Sequence, residues 1–113
     1  LILVLVHHPN PIHKLNEKPV FIILFGSTAK GTYNDSSDID LLLITNRKIS
    51  FENAEKEAEA ITGIKISTFQ ITYSNFKKEI KLKEDHVIQS ALYSGYPIYN
   101  QIAYYEEMNY ERI

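Results

Sequence analysis

The sequence predicts one α/β domain, in which strands and helices alternate along the chain. Apolar runs of strand length, such as VFIILF and DIDLLLI, alternate with segments that carry helical caps and helical spacing. The 113 residues suffice for one hydrophobic core and are too few for two. A content of 44% hydrophobic and 23% charged residues is typical of a soluble globular protein. We therefore expect a single layered domain over residues 1–113.

Two apolar runs predict the first two strands. VFIILF, residues 20–25, is β-branched and aromatic without a polar break, which indicates an interior strand covered on both faces. DIDLLLI, residues 38–44, is the second strand, and the glycine- and serine-rich residues 26–37 between them are typical of a loop. Earlier in the chain, HHPNPIHKLNEKP is a proline-rich connector, while LILVLV, residues 1–6, fits either a strand or the end of a helix.

Helices and strands continue to alternate in the second half. A helix over FENAEKEAEAIT is expected to begin after Ser50 and to end at Gly63, before a third strand, IKISTFQIT. Ser74 is the expected cap of a short helix over NFKKEIK. Asp85 is the expected cap of another over HVIQSALYS, which Gly95 ends. A short closing strand, PIY, and a tail, NQIAYYEEMNYERI, complete the chain.

Composition argues against several classes of function. The net charge of -2 provides no electrostatic footprint for nucleic acid, so direct nucleic-acid binding is not expected. The absence of cysteine excludes disulfides and thiolate chemistry and suits a cytoplasmic protein. LILVLV is too short for a transmembrane helix or a signal peptide, so no membrane association is expected. The chain opens on Leu1 rather than methionine, as expected where native N-terminal residues are missing.

Two aspartates enter the second strand at alternate positions. Because side chains alternate across a strand, Asp38 and Asp40 should share one face while Ile39 points to the other. Two adjacent carboxylates repel each other and resist desolvation unless a cation neutralises them. Hard oxygen ligands select Mg²⁺ or Mn²⁺, and such a pair can bridge two ions about 4 Å apart. We therefore predict that Asp38 and Asp40 are metal ligands and catalytic residues.

The turn after the first strand predicts a phosphate site. Gly26 lets the backbone approach a ligand closely, and the N–H groups that follow can point at a phosphate. Ser27, Thr28 and Lys30 complete the predicted nucleotide-binding set, with Lys30 adding a positive charge. A phosphate-binding turn that leads into a metal-binding aspartate pair suits ATP or another nucleoside triphosphate with its magnesium.

Other nucleotide and metal motifs do not fit this segment. GSTAKGT has two glycines at the P-loop separation, but Thr32 stands where the P-loop lysine should follow the second glycine. The dinucleotide pattern GxGxxG is absent. An EF-hand alignment of NDSSDID places Ile39 where the loop glycine belongs.

GSTAKG followed by SDIDLLLI closely resembles the minimal nucleotidyltransferases of the DNA polymerase beta-like superfamily. Their signature is Gly-Ser, a spacer of about ten residues and Asp-x-Asp on the following strand. Looser similarity extends to SALYSGYPIYN. The resemblance implies the nucleotidyltransferase fold, an α/β (α+β) arrangement with a mixed sheet flanked by helices. It also implies that Gly26 and Ser27 bind the triphosphate, that Asp38 and Asp40 bind two magnesium ions, and that a nucleotidyl group passes to a hydroxyl with release of pyrophosphate.

The chain departs from this family at one position. The family usually has a third carboxylate on the next strand, where it binds metal and helps to activate the attacking hydroxyl, but ISTFQIT contains no acid. Ser67 takes that place in our alignment, with Thr68 as the neighbouring alternative. A hydroxyl supplies neither the charge nor the basicity of a carboxylate. Acids of the following segment could substitute only by moving in, namely Glu79, Glu84 and Asp85.

The resemblance also implies a partner. Proteins of this minimal type resemble the antitoxins of two-component toxin-antitoxin modules, whose partner is a helical HEPN-domain ribonuclease that receives AMP. An antibiotic-modifying enzyme is disfavoured, because such enzymes add a second domain. The alternatives are a catalytically weakened module that binds nucleotide or partner, and a structural domain without nucleotide binding. Homo-oligomerisation stays open.

The other polar and aromatic groups have simpler interpretations. The four histidines lack ligand spacing, and the lysines of the KKEIKLK segment form an ordinary solvated face. Most tyrosines near the C-terminus are expected to close the core. Tyr104, Tyr105 and Met108 would suit a protein interface if partly exposed.

Overall fold

The computed structural model describes residues 18–26 and 38–112, with side chains described as far as residue 109. Strands and helices alternate through this part of the chain as predicted. The elements are β1 (Phe21–Phe25), β2 (Ile39–Thr45), α1 (Glu52–Thr62), β3 (Ile66–Thr72), α2 (Tyr73–Leu82), α3 (His86–Ser94), β4 (Tyr96–Tyr99) and α4 (Gln101–Arg112). The predictions for LILVLV, for most of the connector and for the loop at 27–37 lie outside the described residues.

The four strands form one mixed sheet in the order β3-β2-β1-β4. β1 pairs antiparallel with β2 and with β4, whereas β2 pairs parallel with β3. All five residues of β1 are buried, which confirms the interior strand predicted from its unbroken apolar sequence. The mixed sheet flanked by helices is the predicted fold class.

Side chains of the two central strands divide between two hydrophobic clusters. On one face, alternate residues of β1 and β2 pack with Phe51 and with Ala58 of α1. On the other face, the remaining apolar residues of both strands pack under α2, α3 and α4, where Phe76 is fully buried. The Asp40 side chain lies on this second face, because its neighbours Ile39 and Leu41 lie in the cluster on the first face and side chains alternate along a strand. The candidate carboxylates therefore lie on the three-helix side of the sheet.

Helix termini match the sequence prediction at three places and differ at two. Asp85 Oδ1 accepts hydrogen bonds from the first turn of α3, Gly95 follows the last residue of that helix, and Gly63 ends α1 in the left-handed region, as expected. Ser50 is not the N-cap of α1, because the helix begins one residue later, after the buried Phe51. Thr72 rather than Ser74 caps α2, since the helix follows β3 directly.

The C-terminal tail is helical, which the sequence interpretation missed. Residues of α4 spaced three and four apart turn inward, and the Tyr104 ring meets the Phe21 ring edge-on at 5.4 Å between centroids. Tyr104 and Met108 are buried, so the expected interface of Tyr104, Tyr105 and Met108 is wrong; only Tyr105 of the three is exposed. None of the helices in the described residues has the length and apolar character needed to cross a membrane.

Candidate functional site

The two aspartates lie at the start of β2, on either side of a residue that anchors the strand. Ile39 is fully buried, and its N–H donates to the carbonyl of Lys65 just before β3, at 3.0 Å. Because Ile39 points into the α1-side cluster, Asp38 and Asp40 are directed to the other side. Both are only partly exposed. The local fold thus brings the two carboxylates together, as the alternation of the sequence predicts.

The electrostatics of Asp40 are unfavourable for a negative charge. Burial raises the pKa of Asp40 above its ordinary value of 3.8, and the neighbouring Asp38 carboxylate raises this pKa further. Both causes disfavour the ionised form, and a bound cation would offset both. The pair therefore has the chemistry of a cation site, with oxygen ligands that suit Mg²⁺ or Mn²⁺.

Gly26 closes the other side of the site. It follows β1 directly, where Phe25 is paired with Asp40 across the sheet. Its φ of 78° lies in the left-handed region, which favours glycine. A Cβ at this position would collide with Oδ2 of Asp40. Glycine is thus required by backbone conformation and by the close approach of a carboxylate, because only a residue without a side chain lets Asp40 pack this close to the backbone.

β3 supplies the third side of the site. Ser67 is the register partner of Asp40 on the parallel strand, so both side chains lie on the three-helix face. Thr68 pairs with Leu41 and lies on the opposite face, where its hydroxyl donates to Glu55 of α1. Of the two positions considered for the missing carboxylate, Ser67 alone shares a face with Asp40.

The three acids that follow β3 do not join the aspartate pair. Glu79 Oε1 accepts hydrogen bonds from the N–H groups of Glu84 and Asp85, and Gln89 donates to its Oε2. Asp85 is engaged as the α3 cap. Within residues 18–26 and 38–112, no group of three or more acidic, histidine or cysteine side chains has the arrangement of a metal site. Two carboxylates remain, as is usual where substrate phosphates complete the shell of Mg²⁺.

An aromatic pair borders the site and was not singled out from the sequence. Phe69 lies two residues after Ser67 on the same face, and its ring contacts that of Phe25 at 5.7 Å between centroids. Phe69 is 40% exposed. The alternation of β3 was the available signal, because it places residues 67, 69 and 71 on one face.

A cleft lies at the far end of the sheet from the aspartates. This cleft of about 600 Å³ adjoins the start of β1 and the end of β2, and Tyr73 within it donates to Glu107 of α4 at 2.6 Å. It is separate from the aspartates, since β1 runs from the cleft at Phe21 to its pairing with Asp40 at Phe25. The predicted phosphate ligands Ser27, Thr28 and Lys30 lie outside the described residues.

Comparison with known proteins agrees with this fold. The family model described as "Polymerase beta, Nucleotidyltransferase" matches residues 10–101. A crystal structure of a toxin-antitoxin with AMP-PNP has the same fold, with 16% identity, a TM-score of 0.60, and coverage of 97% of this chain and 80% of that one. A mutant of the toxin-antitoxin MntA-HpeT has the same identity and coverage, with a TM-score of 0.56; two aspartates at alternate positions are replaced by glutamate in it. None of the curated proteins matches the chain.

Proposed function

Because the chain belongs to the polymerase beta nucleotidyltransferase family, we propose that it is a Mg²⁺-dependent enzyme that transfers a nucleotidyl group to a hydroxyl. The donor we propose is ATP, with AMP as the transferred group. The observation that carries the proposal is the pair of Asp38 and Asp40 beside Gly26, where burial and like charge raise the pKa of Asp40. An arrangement that disfavours its own negative charge suits a ligand that brings positive charge.

The residues present fit magnesium. Asp38 and Asp40 would hold the metal through carboxylate oxygens, and the triphosphate and water would complete its shell. Bound magnesium would offset the negative charge of the phosphates and polarise the α-phosphate. Mn²⁺ has the same oxygen preference and is an acceptable substitute.

The turn at Gly26 is the proposed holder of the β and γ phosphates. Gly26 brings the backbone close to Asp40, so phosphates held there would adjoin the proposed metal site. We propose that Ser27, Thr28 and Lys30 continue this contact through N–H groups, hydroxyls and one positive charge. The structural neighbour with AMP-PNP supports an adenine nucleotide as the ligand.

The proposed biological role is that of an antitoxin. The two structural neighbours described above are toxin-antitoxin proteins, and the two substituted aspartates of MntA-HpeT have the spacing of Asp38 and Asp40. In a two-component module of this kind, a partner protein would carry the acceptor hydroxyl. We propose a helical HEPN-type toxin as that partner, and a cytoplasmic location, which suits a chain without cysteine.

A second candidate function is a nucleotide-binding or partner-binding module with weakened catalysis. One observation favours it: the register partner of Asp40 on β3 is Ser67, a residue that cannot act as a carboxylate base. Magnesium and nucleotide binding would survive this loss, because Asp38 and Asp40 remain. The two candidate functions therefore both allow Mg²⁺ and nucleotide binding, and they differ in whether the nucleotidyl group is transferred.

The test is label transfer from α-phosphate-labelled ATP with Mg²⁺, using the purified chain in a lysate of its source organism. The matched control is the Asp38→Asn, Asp40→Asn double variant, which retains the size of both side chains. We expect a protein band that wild type labels and the double variant does not. No label from wild type, together with a melting temperature raised by Mg·ATP, would reject the enzyme and favour the binding module. No label and no nucleotide effect would reject both.

A further inference from the structure

Phe69 differs in exposure from every other phenylalanine of the chain. The sequence has five phenylalanines, and the other four are at most 7% exposed, whereas Phe69 is 40% exposed. Those four lie in the two hydrophobic clusters. Phe69 lies on the edge strand β3 and contacts Phe25, which is buried beside the candidate site. Single exposed apolar side chains are common on protein surfaces, so the exposure of Phe69 alone is not informative. Its place is informative, because the ring packs on Phe25 on the face of the sheet that carries Asp40 and Ser67.

The order of strands gives the ring a position relative to the proposed reaction. β2, with Asp38 and Asp40, lies between β1, which leads into the Gly26 turn, and β3, which carries Ser67 and Phe69. In the proposed function, on which this inference rests, the β and γ phosphates lie at the β1 side and the α phosphate lies over β2. The attacking and leaving oxygens of phosphoryl transfer are roughly in line. The acceptor would therefore approach from the β3 side.

We infer that Phe69 positions the acceptor by apolar contact with the group that carries the attacking hydroxyl. In the step itself, the acceptor oxygen bonds to the α phosphorus, the bond from this phosphorus to the bridging oxygen breaks, pyrophosphate leaves, and the hydroxyl proton passes to water. Phe69 touches no reacting atom. It holds the apolar group that bears the hydroxyl beside Ser67. Ser67 lies on the β3 side of Asp40, opposite the Gly26 turn on the β1 side.

The chemical class of acceptor follows from the ring. An exposed phenyl face offers dispersion and hydrophobic contact and no hydrogen bond, so it favours a hydroxyl on an apolar or aromatic stem over one on a strongly hydrated carrier. The nucleobase is the competing occupant. It is disfavoured because the ribose and base branch from the α phosphate away from the line joining the attacking and leaving oxygens.

The test compares Phe69→Thr, which removes the ring but suits a strand, with Phe69→Tyr, which keeps it. The matched control is Ile61→Ala, since Ile61 is also 40% exposed but lies on α1, across the sheet. Initial rates of label transfer from α-labelled ATP are measured against dilution of the source lysate and, separately, against ATP concentration. Mg·ATP-induced shifts in melting temperature are measured for each variant, and Phe69→Leu is a second ring-free variant if Phe69→Thr does not fold.

We expect Phe69→Thr to need about three- to tenfold more lysate for half-maximal labelling, with the ATP dependence and the Mg·ATP shift unchanged. Phe69→Tyr and Ile61→Ala should behave as wild type. An unchanged lysate dependence for a folded ring-free variant would overturn the inference. A lost Mg·ATP shift would overturn it in favour of base stacking. Absence of labelling by wild type would overturn both the proposed function and this inference. Failure of the inference alone would instead leave wild type active and the lysate dependence of the ring-free variant unchanged.

Discussion

Asp40 on β2 and Glu79 on α2 are acids in partly or fully buried positions, and their pKa values move in opposite directions. Burial raises the pKa of Asp40, and the adjacent Asp38 raises it further. Burial would also raise the pKa of Glu79. The hydrogen bonds from Gln89 and from the N–H groups of Glu84 and Asp85 outweigh that burial and lower it, although the Asp85 charge opposes them.

The difference lies in what the fold provides around each carboxylate. Glu79 closes the turn between α2 and α3 with donors on both of its oxygens. Asp40 instead lies beside a second carboxylate and packs against Gly26, a residue without a side chain. A structural acid is surrounded by donors, whereas an acid placed beside like charge suits a cation from outside the chain. This contrast separates a residue that stabilises the fold from one suited to ligand binding.

The largest effect on stability is expected from Glu79→Ala. This change leaves the N–H groups of Glu84 and Asp85 without their carboxylate acceptor and removes the partner of Gln89. We expect a loss of about 2–4 kcal/mol in the free energy of unfolding, measured by urea denaturation at pH 7. The control is Glu84→Ala, an exposed acid of the same turn, which should change stability by less than about 0.5 kcal/mol. Equal effects of the two variants would contradict a structural role for Glu79.

A smaller effect with a functional component is expected from Gly26→Ala. Gly26 and Gly63 have similar positive φ angles, 78° and 72°, but only Gly26 lies against Asp40. Both alanine variants should lose about 1–2 kcal/mol of stability from backbone strain. Gly26→Ala should in addition displace the Asp40 carboxylate and abolish the Mg·ATP-induced rise in melting temperature. If Gly26→Ala kept the full rise, the proximity of Gly26 and Asp40 would have no role in binding.

The smallest effect on stability is expected from Asp40→Asn in metal-free buffer. Unlike the two variants above, this variant should be more stable than wild type. Removing the charge should stabilise the protein at pH 7 by a few tenths of a kcal/mol, because solvent screens a partly exposed pair. Asp38→Asn is the matched variant and should give a gain of the same sign. A loss of stability in Asp40→Asn would show that the carboxylate has a structural role like that of Glu79.

The pH dependence of stability should distinguish the two acids. The pKa of Glu79 is lowered below 4.5, so its contribution is complete above that pH and is lost as the pH falls through the lowered value. The pKa of Asp40 is raised above 3.8, so the cost of its charge is present at neutral pH and disappears as the pH falls through the raised value. Urea denaturation of wild type, Glu79→Gln and Asp40→Asn between pH 7 and pH 3 would measure both trends.

Local sequence was sufficient for the strands, three helix termini and the aspartate pair. β1 and β2 were predictable because unbroken apolar runs of strand length bury themselves on both faces. The Asp85 cap and the Gly63 terminus depend on neighbouring residues alone. The common direction of Asp38 and Asp40 follows from the two-residue period of a strand. The family likewise followed from the spacing of GS and DID, and the family match confirms it.

Tertiary structure alone decided what lies beside those aspartates. The choice between Ser67 and Thr68 depends on the register between β2 and β3, which no local pattern specifies. Helix α4 forms because Tyr104 and Met108 are buried against the sheet, a contact between residues far apart in the chain. The hydrogen bonds that make Glu79 a structural residue, and the partial exposure of Phe69, likewise depend on how neighbouring elements pack. Periodicity and capping act within a few residues, so the sequence by itself determined the four strands, the first three helices and the charged pair. Register and packing act between distant segments, and they decided α4 and completed the site.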